Sequence, residues 1–209
     1  MLRSEGLKFS YPSGAALSFP DVALKSGEQA LILGPSGSGK STLLGLWSGL
    51  LSPKQGTVTV GETAVHTLKG SARDHWRAKH VGIVYQRPRL IESQSVFNNI
   101  ALQCKLSGKP VDRAAILSDM EGLSIAHLAD RYPNACSVGE QQRVGILRAL
   151  VHKPELILAD EPTSALDTKN ALAVAELLQQ QAKLRGATLA VVTHDDRLRP
   201  LFSRTVELN

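Results

Sequence analysis

Gly34-Pro35-Ser36-Gly37-Ser38-Gly39-Lys40-Ser41, directly after the apolar run Ala30-Leu31-Ile32-Leu33, is the stretch whose reading decides the fold. It fits G-x-x-x-x-G-K-[ST], the phosphate-binding P-loop, a glycine-rich turn that leaves a buried strand and opens a helix. Gly34, Gly37 and Gly39 let the backbone take conformations closed to residues with a Cβ. Successive N–H groups then converge on one anion, helped by the positive end of the following helix dipole. Lys40 would reach the β- and γ-phosphates and the Ser41 hydroxyl would ligate Mg²⁺, with Thr42 counted in the same nucleotide-contacting set. A Gly/Ser-rich surface loop is the plain alternative, and the strand before it argues against that.

Leu156-Ile157-Leu158-Ala159-Asp160-Glu161 is an apolar run ending in two carboxylates. It is expected beside the P-loop strand in a parallel sheet, with its C-terminal end at the ligand edge. Asp160 would hold Mg²⁺, and Glu161 would polarise the water that attacks the γ-phosphate. Gln86 and His194 each close another strand-like run, Val81–Tyr85 and Thr188–Thr193. An amide there can touch both Mg²⁺ and the attacking water, and a histidine there can orient water and stabilise γ-phosphate charge. Either residue alone is more often an ordinary surface group.

In Cys136-Ser137-Val138-Gly139-Glu140-Gln141-Gln142-Arg143, Ser137 and Glu140 fit a capping box, opening a helix with Val144, Leu147 and Val151 on one face. The same N-terminus is a ready anion site. Here the chain resembles the ATP-binding cassette (ABC) ATPases, whose signature is Leu-Ser-Gly-Gly-Gln. Ser137 and Gly139 match; Cys136, Val138 and Glu140 depart. Glu at the last position is similar to the lipoprotein-releasing members, and Val138 puts a branched side chain where the family has Gly.

The resemblance extends over nearly the whole chain and implies further roles. Tyr11 lies where the family stacks an aromatic on adenine. Ser164-Ala165-Leu166-Asp167 looks like the loop that crosses the dimer interface. ATP would lie between Lys40, Ser41 and Asp160 of one copy and Ser137 and Gly139 of a second, in a head-to-tail homodimer. The implied architecture is a single domain over 1–209: an α/β P-loop NTPase (RecA-like) parallel sheet core with an antiparallel β subdomain, over 1–86 and 151–209, and a helical subdomain over 87–150. Residues 2–33 read as antiparallel strands leading into the P-loop strand, with alternation at Leu7, Phe9 and Tyr11. Gly56–Gly61 reads as a short strand, and Ser48-Gly49 as a weak point in the helix after the P-loop.

Only 50 residues separate Gln86 from Ser137, without heptads, which leaves no room for the long coiled coil of the chromosome-maintenance type. A compact helical insert is similar to transporter cassettes, where the segment after the Gln docks a helix from an integral membrane permease. Leu90, Ile91, Val96, Phe97 and Ile100 would line that groove, and a plain subdomain core accounts for them equally well. The segment Val81–Gln86, Glu140 and the close at Asn209 after Thr205–Leu208 look like the lipoprotein-releasing and macrolide-exporting group. An amino-acid or metal importer cassette, a cell-division type cassette and a DNA-associated ATPase stay open as alternatives.

The 209 residues can bury a sizeable core. A net charge of +5 suits phosphates, an anionic membrane surface or nucleic acid. The basic residues are scattered except around Arg73–Lys79 and Arg197–Arg204, and most read as solvated faces; no nucleic acid is expected as a partner. Cys104 and Cys136 lack a metal-ligand spacing and read as small buried hydrophobes in a reducing compartment. With no 18-residue apolar stretch and no leader, the chain is expected on the cytoplasmic side of the inner membrane, held there through the permease.

Overall fold

The structure is a computed structural model and describes residues 1–12, 15–164 and 166–208. Ser13, Gly14, Ala165 and Asn209 lie outside the described residues, including Ala165 of the expected interface loop and the closing Asn209.

Among the described residues, ten strands form two sheets. In the first, β1 (Leu2–Phe9) pairs antiparallel with β2 (Leu17–Ser18), β3 (Val22–Leu24) and β5 (Gln55–Val60), and β5 continues to β6 (Thr63–Ala64). The second holds β4 (Gln29–Leu33), β7 (Val81–Val84), β8 (Leu156–Asp160), β9 (Thr188–Thr193) and β10 (Thr205–Glu207), all parallel. Its strand order is β10-β4-β9-β8-β7. The expectation that Leu156–Asp160 lies beside the P-loop strand is therefore corrected: β9 stands between them. Both β8 and β9 are continuous apolar runs, so either satisfies the burial demanded of the central place, and hydropathy alone does not rank them.

Alternate residues of the parallel strands face two cores. Ile32, Leu158, Ala190 and Val192 pack with α1 (Lys40–Trp47) and the antiparallel sheet. Leu31, Ile157, Ala159 and Val191 pack with α5 (Val138–Leu150) and α6 (Thr168–Arg185). Gly82 permits the closest approach: a Cβ there would lie 2.1 Å from the Ala149 carbonyl oxygen. A third core joins α3 (Val96–Leu106), α4 (Arg113–Gly122) and the inner face of α5.

Three finer expectations are settled by these packings. Val96, Phe97 and Ile100 are buried in the third core, so of the five residues suggested for a docking groove only Leu90 and Ile91 are left nearer the surface. The basic run at Arg73–Lys79 is part of a helix, α2 (Gly70–His80), with Trp76 as its buried residue. The basic run at Arg197–Arg204 is ion-paired: Arg197 with Asp195, Arg199 with Asp196 and Glu207, Arg204 with Glu28. Cys104 and Cys136 are buried free thiols, as expected, and burial pushes both above the ordinary thiol range.

Candidate functional site

A parallel sheet brings its strand C-termini to one edge, and at that edge β4, β7, β8 and β9 deliver the P-loop, Gln86, the Asp160-Glu161 pair and His194. Gly37 at φ 86° and Gly39 at φ 89° make the turn that leads from β4 into α1. Gly39 is the N-cap, and no side chain caps the helix. The first-turn N–H groups are thus offered to a ligand rather than to a serine or aspartate, the arrangement expected of an anion site. Ser38 Oγ, inside the loop, is buried without a hydrogen-bond partner.

Lys40 is 6% exposed and folds back over its own loop: Nζ donates to the carbonyls of Gly34 at 2.9 Å and Pro35 at 2.8 Å and lies 3.4 Å from Glu161 Oε1. Ser41 Oγ donates to Asp160 Oδ1 at 3.0 Å. These two oxygens with the Gln86 amide are the hard-ligand set that suits Mg²⁺, so the residues present fit that ion. Asp160 is raised above the ordinary carboxylate range, first by burial and further by the charge of Glu161, against the lowering effect of Ser41.

Glu161 sits just past β8 at φ 47°, in the left-handed region that side chains other than Gly seldom adopt. Its carboxylate accepts from Thr193 Oγ1 at 2.8 Å and from the His194 backbone N–H at 3.3 Å, and His194 Nδ1 lies 2.9 and 3.0 Å from its two oxygens. Burial alone would raise its pKa, but the hydrogen bonds from His194 and Thr193 outweigh that and hold it below the ordinary value. Two adjacent carboxylates are thereby pushed apart in acidity, and Glu161 is the one held ionised by its hydrogen bonds.

A cleft of about 580 Å³ gathers Tyr11, Ser36, Gly37, Gly39, Lys40, Ser41, Thr42, Gln86, Glu161 and His194, with Ser164 at its wall. Tyr11 stands 47% exposed at its mouth, its OH 3.1 Å from Thr42 Oγ1, with Phe9 edge-on at 4.9 Å. Gly34 and Pro35 lie behind the cleft and serve it through the carbonyls that hold Lys40.

Ser137, Gly139 and Asp167 are not in the cleft. Ser137 caps α5: its Oγ accepts from Glu140 N at 3.3 Å and donates to Glu140 Oε2 at 2.8 Å, while its N–H donates to the same oxygen at 2.7 Å. Val138 beside it is 71% exposed. Asp167 caps α6, accepting from Asn170 N at 3.0 Å and Nδ2 at 2.6 Å. Sequence alone does not single out Thr193, which holds Glu161, because it falls inside the strand-like run that His194 closes.

The family model described as ABC transporter matches residues 18–164. The chain is 41% identical over 182 residues to the ABC transporter ATP-binding protein YtrE of Bacillus subtilis, covering 85% of this chain and 79% of that protein. It is 33% identical over 210 residues to the lipoprotein-releasing system ATP-binding protein LolD of Bacteroides fragilis, covering 100% of this chain and 97% of that protein. The dimeric, post-hydrolysis structure of the ATP-binding cassette MJ0796 bound to ADP and Pi superposes with a TM-score of 0.89 at 30% identity, covering 100% of this chain and 94% of that one.

Proposed function

The chain belongs to the ABC transporter family as an ATP-binding cassette, and from that premise we propose that two copies close head-to-tail on two ATP molecules to drive a separate membrane subunit, in export or extraction rather than import. The observation that carries this is the convergence of Lys40, Ser41, Asp160, Glu161, Gln86 and His194 on one sheet edge, with Ser137 and Asp167 held away from it. A cleft that lacks the signature residues of its own chain is completed by those of a second copy, as the dimeric relative is consistent with.

In the reaction, the phosphates displace the Gly34 and Pro35 carbonyls as partners of Lys40, and the uncapped turn of α1 supplies N–H donors. Tyr11 offers its exposed ring to the base. Ser41, Asp160 and Gln86 would hold Mg²⁺, which neutralises phosphate charge when bound. Glu161, kept ionised by Thr193 and His194, accepts the proton of the attacking water, and His194 faces the charge that develops on the γ-phosphate. ATP favours the closed dimer because that state binds it more tightly, and phosphate release reopens it.

Residues 87–150 act as a helical subdomain around the third core. The membrane subunit would dock in the groove between that subdomain and the sheet core, lined by Tyr85, Arg89, Ile91, Leu102, Leu106 and Arg148. Among the described residues no helix is long and apolar enough to cross a membrane. The cassette would sit on the cytoplasmic face of the inner membrane through its contact with the membrane subunit. The full-length similarity to a lipoprotein-releasing ATP-binding protein supports extraction.

Glu161→Gln keeps the shape of the side chain and removes its basicity. The variant is expected to bind ATP and accumulate as an ATP-bound dimer by light scattering with Mg²⁺; a monomer at saturating ATP would refute the reading.

A further inference from the structure

Behind Glu161, a second layer of polar residues carries no part of the proposed chemistry. Asp195 follows His194, is 8% exposed and caps the 3₁₀ turn Asp196–Leu201. Its Oδ1 accepts from Arg197 N at 3.2 Å and Nε at 2.7 Å. Its Oδ2 accepts from Arg197 Nη2 at 2.8 Å and from the fully buried Thr163 Oγ1 at 3.0 Å. The guanidinium reaches further: Nη1 donates to Thr168 Oγ1 at 3.0 Å, and Nη2 also lies 3.4 Å from the Leu166 carbonyl. On the other side, Asp195 N donates to Thr193 Oγ1 at 3.0 Å, and that hydroxyl donates to Glu161 Oε2 at 2.8 Å. One line of hydrogen bonds therefore runs from the Glu161 carboxylate through Thr193 and Asp195 to Arg197, and ends on Leu166 and Thr168, the two neighbours of Asp167.

We propose that Arg197, acting through Asp195, is a positioning residue that sets the Glu161 carboxylate and the segment carrying Asp167 as one unit, so that the state of the hydrolytic corner and the face offered to the second copy change together. The inference rests on the head-to-tail ATP sandwich of the preceding subsection.

Three physical points support it. Glu161 holds φ 47°, a backbone state that persists only where the surroundings over-determine it. Its own backbone ties are its N–H to Val192 O at 2.9 Å and its carbonyl accepting from Ser164 N at 3.4 Å and Oγ at 3.3 Å, so side-chain bonds must supply the rest. Next, Arg197 and Asp195 meet fork to fork, Nε on one oxygen and Nη2 on the other, which fixes direction as well as distance. A lysine offers one point charge and cannot hold Asp195, Thr168 and Leu166 at once. Finally, Asp195 is a buried carboxylate, and removing its guanidinium leaves that charge without its partner and favours rearrangement of the corner.

The test compares Arg197→Ala and Arg197→Lys with the parent in ATP turnover, in affinity for a fluorescent ATP analogue, and in ATP-driven dimerisation on the Glu161→Gln background. Arg197→Ala is expected to lower kcat by about 10- to 100-fold, the scale of a mispositioned group, with nucleotide affinity within about twofold of the parent. The dimer should be lost on the Glu161→Gln background, and Arg197→Lys should recover only part of kcat. A merely structural role would lower affinity, melting temperature and turnover together, and that result overturns the proposal, as does parental kcat in folded Arg197→Ala. Should Arg197→Ala fail to fold, Thr168→Val removes one end of the line at the surface, and the same split between kcat and affinity decides. If the parent shows no turnover and Glu161→Gln forms no ATP dimer, the sandwich itself is refuted; if both behave and the Arg197 variants match them, only the coupling is.

Discussion

At the scale of the residue, Lys40 shows what the P-loop sequence commits the chain to. An ammonium this buried needs compensation, and it finds two carbonyls of its own loop and the Glu161 carboxylate. Phosphate oxygens replace those carbonyls at little cost because the charge is already in place and aimed. Lys40→Ala is therefore expected to weaken ATP binding and to lower turnover by about 10²–10³-fold, the range for removing one preorganised charge partner. Steady-state ATPase assays with a nucleotide titration check this, and near-parental activity would refute the assignment. Lys40 was legible because its motif is contiguous. Thr193, Thr163 and Arg197 were not, because what makes them matter is proximity between chain segments up to 32 positions apart.

At the scale of the element, the two ends of α5 contrast. Its N-terminus was legible to the residue: Ser-x-x-Glu spacing forms its reciprocal bonds within one turn, whatever surrounds it. Its C-terminus runs into His152, fully buried with neither ring nitrogen hydrogen-bonded. Burial lowers this imidazole from 6.5 to about 4. The unfolded chain thus takes up the proton near 6.5 while the fold refuses it until about 4. The neutral histidine leaves stability intact above that window, and stability is lost as pH falls through it, by about 3 kcal/mol at its lower end. His152→Leu should remove this dependence. In urea titrations at pH 7 and pH 4.5, the parent is expected to lose stability relative to the variant at the lower pH. A gap between them that does not change with pH would refute the account.

At the scale of the whole molecule, the departures in the signature become a question of association. In the single chain the Ser137 hydroxyl is spent on Glu140, and Val138 stands exposed at the helix mouth. Closing on a second copy's ATP asks Ser137 to turn away from Glu140, brings a carboxylate near phosphate, and crowds that approach with a β-branched side chain. Val138→Gly and, separately, Glu140→Gln should each strengthen the ATP-dependent dimer of the Glu161→Gln background by about 1 kcal/mol, the scale of a single hydrogen bond. Sedimentation with ATP measures it, and weakening by both changes would mean that Val138 and Glu140 are fitted to the site.

The sequence by itself determined the P-loop turn, the capped start of α5, the strands that end in Asp160 and His194, and hence the family. Each of these follows from dihedral preference, burial or hydrogen bonding within a few residues of chain, which a linear pattern records directly. Only the tertiary structure decided that β9 separates β4 from β8, that Val96, Phe97 and Ile100 belong to a core rather than a groove, and that Glu161 is tied to Arg197. An apolar side chain states that it will be buried but not against what. A polar one states that it needs a partner but not which, and those choices are made by packing among segments far apart in the chain.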